Sequence, residues 1–460
     1  MTYTQAVTYI KESHDQVIRL GLERMEVLLE RLGDPQKQLH FIHVAGTNGK
    51  GSVCAMTAQI LQCAGLKTGL FTSPVISDYR EQFQVNGEMI SQDTFVRLTD
   101  TLKQVCDHMD DPPSEFEKAV ALAFLYFAES RCDLVVLEVG LGGVDDATNV
   151  IDTPEVAAIV NIDYDHMGFL GDTLEQIAQK KSGIIKEGAV VVTTDQQDAV
   201  MDVLESRCRD MHATLIKASA KHVRIIEKSL DGQRFIYDDN YDDGMDSGDH
   251  IDHGEGSSIR LPREITLSLI GDHQCANAAI VLEIIRCLQM KGWRIPEDAI
   301  REGMKTVRWS GRFELLSKEP LIIIDGAHNP DGIRALSHNL GEYCAGETFI
   351  FITGILKDKD YHEMLLQMLP FAYRFLTIAP DNPRAMSAEA CAQEIRRCGF
   401  RGEIEAFTDK RQAVAHAVNV AIQTGHPVCA FGSLYSVGAL KAAIQSELEA
   451  ARKQHGNNIK

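Results

Sequence analysis

Two rhythms of apolar residues run through the chain. Short stretches that are apolar at consecutive positions and bounded by glycine read as buried strands, and longer stretches with apolar residues every three or four positions read as helices. Residues 1–33 predict helix followed by helix, with Leu20, Leu22, Met25, Leu28, Leu29 and Leu32 near helical spacing and Gly33-Asp34-Pro35 as the stop. A strand at 40–44 then enters Ala45-Gly46-Thr47-Asn48-Gly49-Lys50-Gly51-Ser52, and 53–61 leaves it as a helix. Next come a strand at 67–71 ending in Thr72-Ser73-Pro74, helices at 93–106 and 115–129, and strands at 133–139 and 156–162. A helix at 174–180 follows, then a strand at 265–270 and a long helix opening at Gly271.

Around 291–296 the pattern breaks, then restarts with strands at 321–325, 349–353, 375–379 and 427–431 separated by amphipathic helices. Strand and helix in alternation predict an α/β fold of two open, doubly wound domains. The first spans 1–293 and holds the glycine turn; the second, 294–460, is smaller and Rossmann-like. Residues 231–258 depart from both rhythms. Asp238, Asp239, Asp242 and Asp243 stand among glycines and histidines with few apolar residues, which predicts an acidic surface loop rather than a calcium loop, since the EF-hand spacing is absent.

Composition narrows the class. With 460 residues, 44% hydrophobic and 24% charged, the chain is an ordinary globular sequence, and no apolar run approaches a membrane span. The N-terminal residues lack the order of a signal peptide, so a cytoplasmic protein is expected. Its eleven cysteines contain no Cys-x-x-Cys pair, which argues against a disulfide framework and a zinc site. A net charge of −20 argues against nucleic acid as partner, so a polyanionic ligand needs a local basic patch, available at Lys50 and at Lys180-Lys181.

The glycine turn at 45–52 carries the most chemistry. Glycines let backbone amides close on a phosphate without a Cβ in the way, and the helix N-terminus and Lys50 add positive potential. The strict P-loop pattern is not met, because Val44 stands where its first glycine belongs and Gly51 separates the lysine from Ser52. A tight strand-to-helix turn with a solvated lysine is the alternative. Glu138 ends an apolar strand just before Gly140-Leu141-Gly142-Gly143, where open sheets place ligand groups, and is read as a magnesium ligand in preference to a buried salt bridge. His166 ends another strand on the same edge, with a satisfied interior histidine as its alternative reading.

In order, these segments resemble the folylpolyglutamate synthase and dihydrofolate synthase family within the Mur ligase superfamily. The resemblance rests on Gly21-Leu22-Glu23-Arg24-Met25, His43 through Ser52, Phe71-Thr72-Ser73-Pro74 and Glu138 through Gly143. It continues in Asp165-His166, Lys181-Ser182-Gly183-Ile184-Ile185-Lys186, His273-Gln274 with Asn277, Gly311-Arg312-Phe313-Glu314 and Asp325-Gly326-Ala327-His328-Asn329-Pro330. It implies that the first domain is a P-loop ATPase domain of the Mur ligase central-domain type, and that the chain is an ATP-dependent ligase that joins a reduced folate's carboxylate to the amino group of L-glutamate through an acyl phosphate. Thr47, Asn48, Gly49, Lys50, Gly51 and Ser52 carry over as phosphate binders, and Asn277, Arg312, Asp325 and His328 as further nucleotide partners. Ser73, Glu138, His166 and Lys181 carry over as the set around two magnesium ions, with Lys181 carbamylated. Lys50, Glu138, His166 and Lys181 are the expected catalytic residues; without the resemblance Lys181 reads as a solvated helix lysine.

The C-terminal domain should hold glutamate, and a monomer is expected. Two positions depart from the family pattern. Val144 replaces a common arginine before Asp145-Asp146-Ala147-Thr148-Asn149, and Gln82 another within Glu81-Gln82-Phe83. Loss of two cations on the folate side points to polyglutamylation of tetrahydrofolates as the main activity. A bifunctional enzyme that also makes dihydrofolate, another Mur-type ligase, and a nucleotide-switched binding module are the alternatives.

Overall fold

The computed structural model describes residues 1–12, 21–165, 167–238 and 261–456. The strands are β1 Phe41–Ala45, β2 Thr68–Phe71, β3 Phe83–Val85, β4 Glu88–Met89, β5 Leu134–Glu138, β6 Val156–Ile159, β7 Val190–Thr194, β8 Thr214–Ala218, β9 Val223–Ser229, β10 Gly232–Tyr237, β11 Glu264–Leu267, β12 Glu314–Lys318, β13 Leu321–Ile324, β14 Phe349–Thr353, β15 Ala372–Thr377, β16 Glu403–Ala406 and β17 Val428–Phe431. The helices are α1 Tyr3–Lys11, α2 Glu23–Arg31, α3 Lys50–Cys63, α4 Gln92–Cys106, α5 Glu115–Ser130, α6 Met167–Leu170, α7 Leu174–Lys181, α8 Asp198–Asp210, α9 Asp272–Met290, α10 Glu297–Thr306, α11 Pro330–Tyr343, α12 Tyr361–Met368, α13 Ala388–Arg397, α14 Lys410–Thr424 and α15 Leu434–Gly456. None of these helices is long and apolar enough to cross a membrane. All eleven cysteines are free thiols.

The first domain holds an eight-stranded sheet in the order β4-β3-β2-β5-β1-β6-β7-β8. From β2 to β8 every pairing is parallel, and β3 and β4 add an antiparallel edge. β1 lies centrally because it is apolar on both faces except at His43, and all five residues are buried. The chain goes from β1 to β2 on one side and later places β6 on the other, so the crevice at the C-terminal end of β1 is the switch point where open α/β sheets bind ligands. One face is covered by α3, α9 and α10, the other by α1, α2, α4 and α5 with α7 and α8 further along. Local chemistry starts these helices: capping boxes Ser114/Glu117 and Thr173/Gln176 open α5 and α7, each hydroxyl accepting a backbone N–H that would otherwise lack a partner.

The second domain carries the six-stranded sheet β12-β13-β17-β14-β15-β16, parallel except for β12, with a core on each face. Two boundaries read from sequence change. Ile295, Ile300, Met304 and Val307 belong to the same core as α3 and α9, so the break between the two cores falls after Val307 and not at residue 293. The strand β10 occupies part of the stretch read as an acidic loop. Phe235 and Tyr237 are buried there under the small antiparallel sheet β11-β10-β9, and alternation over only six residues gave too short a signal beside the acidic run. Residues 239–258 of that loop lie outside the described residues, as does His166.

Candidate functional site

The turn between β1 and α3 depends on its glycines. Gly46 and Gly49 have φ of 147° and 99°, and a Cβ would sit 2.2 Å from Val160 Cγ2 at the first and 2.6 Å from Asn277 Oδ1 at the second. Thr47 fixes the turn laterally: its Oγ1 donates to the Asp163 carbonyl at 3.0 Å and accepts from the Asp163 N–H at 3.1 Å, and its own N–H donates to Asn161. The turn is thereby bound to the segment after β6. Lys50 begins α3, and Gly51 lies against the indole of Trp309, which would be 2.8 Å from an added Cβ.

Two amines converge on one carbonyl. Lys50 Nζ donates to Gly46 O at 3.2 Å and to Thr47 O at 3.2 Å, and Lys181 Nζ donates to Gly46 O at 2.7 Å. Lys181 is 4% exposed at the end of α7, so it is not the solvated helix lysine that sequence alone favoured. Burial, and secondly the Lys50 charge, lower its pKa to about 7. A substantial share of Lys181 is therefore neutral amine near neutral pH, the form that reacts with CO2 to give a carbamate.

Glu138 ends β5, with its Cα paired to that of Val44 one strand away. It is buried, and one oxygen accepts the Ser73 N–H at 3.2 Å. Burial raises its pKa while Lys50 and Arg312 lower it. A buried carboxylate with oxygen lone pairs to spare is a donor that suits a hard cation. No group of three His, Cys, Asp or Glu side chains arranged for a metal occurs among the described residues, and His166 is not one of them. The following turn is held by Asp146, whose Oδ2 accepts the Leu141 N–H at 2.8 Å.

The second domain faces this turn with its own loops. Asp325 follows β13, and its two oxygens accept the Phe313 and Ala327 N–H groups at 2.6 Å each, which joins the loops before β12 and after β13. Burial raises the Asp325 pKa against the opposing Arg312 charge. His328 Nδ1 lies 2.8 Å from Gly326 O, and its pKa is lowered to about 4 by burial and then by Lys359. Asn277, on α9, has its amide over Gly49 and donates to Gln274 Oε1 at 3.2 Å. Two contacts between the domains have no sequence signal: Asn48 with Asp331, and Lys359 Nζ with Asp165 Oδ1 at 2.9 Å. Trp309 is a third residue that sequence reasoning did not single out.

The two departures separate. Val144 is exposed after the Gly140–Gly143 turn, whereas Gln82 is buried and donates to the Tyr79 carbonyl at 3.4 Å. Gln82 turns inward.

Comparison with known proteins now decides the family. The Mur ligase middle domain matches residues 44–285, and the Mur ligase glutamate ligase domain matches residues 311–434. The chain is 35% identical over 379 residues to the dihydrofolate synthase/folylpolyglutamate synthase of Bacillus subtilis, covering 81% of this chain and 84% of that one. The chain belongs to the folylpolyglutamate synthase and dihydrofolate synthase family. The folylpolyglutamate synthase of Lacticaseibacillus casei is 32% identical over 454 residues, covering 96% of this chain and 99% of its own. The folylpolyglutamate synthase of Mycobacterium tuberculosis, solved with ADP and AMPPCP, superposes with a TM-score of 0.82 at 27% identity over 96% of this chain and 99% of that one. As a folylpolyglutamate synthase family member, the chain is an ATP-dependent ligase with the Mur middle and glutamate-ligase domains.

Proposed function

We propose that this chain adds L-glutamate to reduced folates at the cost of ATP, through an acyl phosphate. The observation that carries this reading is the convergence of Lys50 and Lys181 on Gly46 O inside a glycine turn at the sheet's switch point. A folate carboxylate is a poor electrophile. Transfer of the γ-phosphoryl of ATP to one carboxylate oxygen makes a mixed anhydride and releases ADP; the glutamate nitrogen then attacks the acyl carbon, phosphate leaves, and the nitrogen loses a proton.

In this reading Thr47 to Ser52 supply backbone amides, a hydroxyl and the Lys50 charge to the nucleotide phosphates, and Asn277, Arg312, Asp325 and His328 hold the rest of the nucleotide across the domain cleft. Ser73, Glu138, His166 and a carbamylated Lys181 would hold two magnesium ions, which supply charge neutralisation for phosphoryl transfer when bound. The Lys181 environment supports the modification, since a charged ammonium would repel magnesium while a carbamate offers it oxygen. The enzyme works in the cytoplasm as a monomer, with glutamate on the C-terminal domain.

Val144 in place of a cation favours acceptors that already carry glutamate, because their additional α-carboxylate offers a second point of attachment. Tetrahydrofolate glutamates are therefore the principal acceptors, and dihydropteroate a poor one. Labelled-glutamate incorporation at matched ATP and magnesium tests this; a larger kcat/KM for dihydropteroate than for tetrahydrofolate overturns the preference and favours a bifunctional enzyme.

A further inference from the structure

The phosphate turn is gripped from the other domain by an acid. Asp331, in the first turn of α11, accepts from Asn48 Nδ2 through Oδ2 at 2.7 Å, across 283 residues of sequence. Its second oxygen is 3.2 Å from Arg334 Nη1, and Asn329, the residue capping α11, donates to Asn48 Oδ1 at 3.4 Å. Asn48 is thus held from both ends of its amide by one helix start. Thr47, the adjacent residue, ties the turn to the 161–165 segment, and Asp165 there pairs with Lys359 of the second domain. The two amines bonded to the turn, Lys50 and Lys181, are cations suited to an anionic ligand; Asp331 has the opposite sign.

We propose that Asp331 is a positioning residue that couples domain closure to nucleotide binding. Its hydrogen bond to Asn48 sets the turn's conformation and draws the second domain onto it, while its charge opposes the nucleotide phosphates and favours release of ADP after transfer. The two roles separate chemically, because a carboxamide keeps an oxygen for Asn48 but carries no charge. This inference rests on the reading of residues 46–52 as the nucleotide's phosphate turn.

The test compares wild type, Asp331→Asn and Asp331→Ala by calorimetric titration with MgADP, by steady-state ligation, and by melting temperature. Asp331→Asn should bind ADP roughly two- to fivefold more tightly, the size expected for removal of one part-exposed like charge in screened solvent, with kcat no lower than wild type. Asp331→Ala should lose about tenfold in kcat, as expected for loss of one charge-assisted hydrogen bond, and should bind ADP more weakly than Asp331→Asn. A purely structural part in α11 would lower the melting temperature of both variants and leave the ratio of kcat to KM for ATP unchanged. ADP affinity in Asp331→Asn equal to or weaker than wild type overturns the charge role, and equal kcat in the two variants overturns the hydrogen-bond role. ADP binding needs neither folate nor glutamate, so failure of this coupling is read separately from failure of the ligase assignment.

Discussion

Acidification should destabilise the first domain through His43, which sits in the middle of β1 with no exposed surface. Its Nε2 lies 2.9 Å from Thr148 Oγ1, and that hydroxyl gives its single hydrogen to Asp146 Oδ1. Nε2 must then carry the proton, and Nδ1 has no partner. A second proton on Nδ1 would place a charge in the core with no acceptor. Burial, and secondly the Lys186 charge, accordingly lower the His43 pKa from 6.5 to about 3. Because the folded state binds this proton less readily than the unfolded chain, stability is full above pH 6.5 and is lost as pH falls toward 3. The slope is about 1.4 kcal/mol per pH unit for one proton, so the loss from this group alone reaches about 2 kcal/mol near pH 5. His43→Gln keeps an N–H for Thr148 and has nothing to titrate. Urea unfolding across about pH 7.5 to 5 should give a variant with a lower but flatter curve, the gap from wild type closing by about 2 kcal/mol. Parallel curves would refute the argument.

Gly49→Ala puts a Cβ at φ 99° and 2.6 Å from Asn277 Oδ1, so it should cost on the order of 1–3 kcal/mol of local strain and at least a tenfold rise in KM for ATP, measured by initial rates with folate and glutamate saturating. Lys181→Ala should be nearly inactive, and native mass spectrometry of the wild type should show one added CO2 that is absent from the variant; a fully active enzyme with unmodified lysine would exclude the carbamate. Replacing residues 239–258 by a short Gly/Ser link should leave turnover within a few-fold, since that composition cannot bury a core, and a collapse in glutamate affinity would place the segment in the site.

Where the sequence was legible, local physics and tertiary structure agree. β1 and β5 are apolar on both faces except at His43 and Glu138 because they lie in the middle of a parallel sheet, and Gly46 and Gly49 stand where φ strongly favours glycine, so strand, turn and helix could be read directly. β9 could not be, since most of its residues are exposed and its sequence mixes charges with isoleucines. α10 was assigned to the wrong side of the domain break because Gly292 to Pro296 has the composition of a linker, while its membership of the first core depends on Ile300 and Met304 meeting α3 and α9. In the site, the residues that form local motifs were found. Asp331 and Lys359 were not, because their meaning arises only when the second domain is folded against the first, and Trp309 was not, because its contact with Gly51 arises only when it packs on the first core.

In the proposed reaction the turn at 46–52 energises a folate carboxylate for attack by glutamate. ADP release should therefore require ATP, magnesium, a tetrahydrofolate acceptor and L-glutamate together, with one glutamate incorporated per ADP, and Lys50→Ala should abolish it while keeping the wild-type circular dichroism spectrum. ADP release that continues at full rate without glutamate, or a Lys50→Ala variant that ligates at the wild-type rate, would contradict the account.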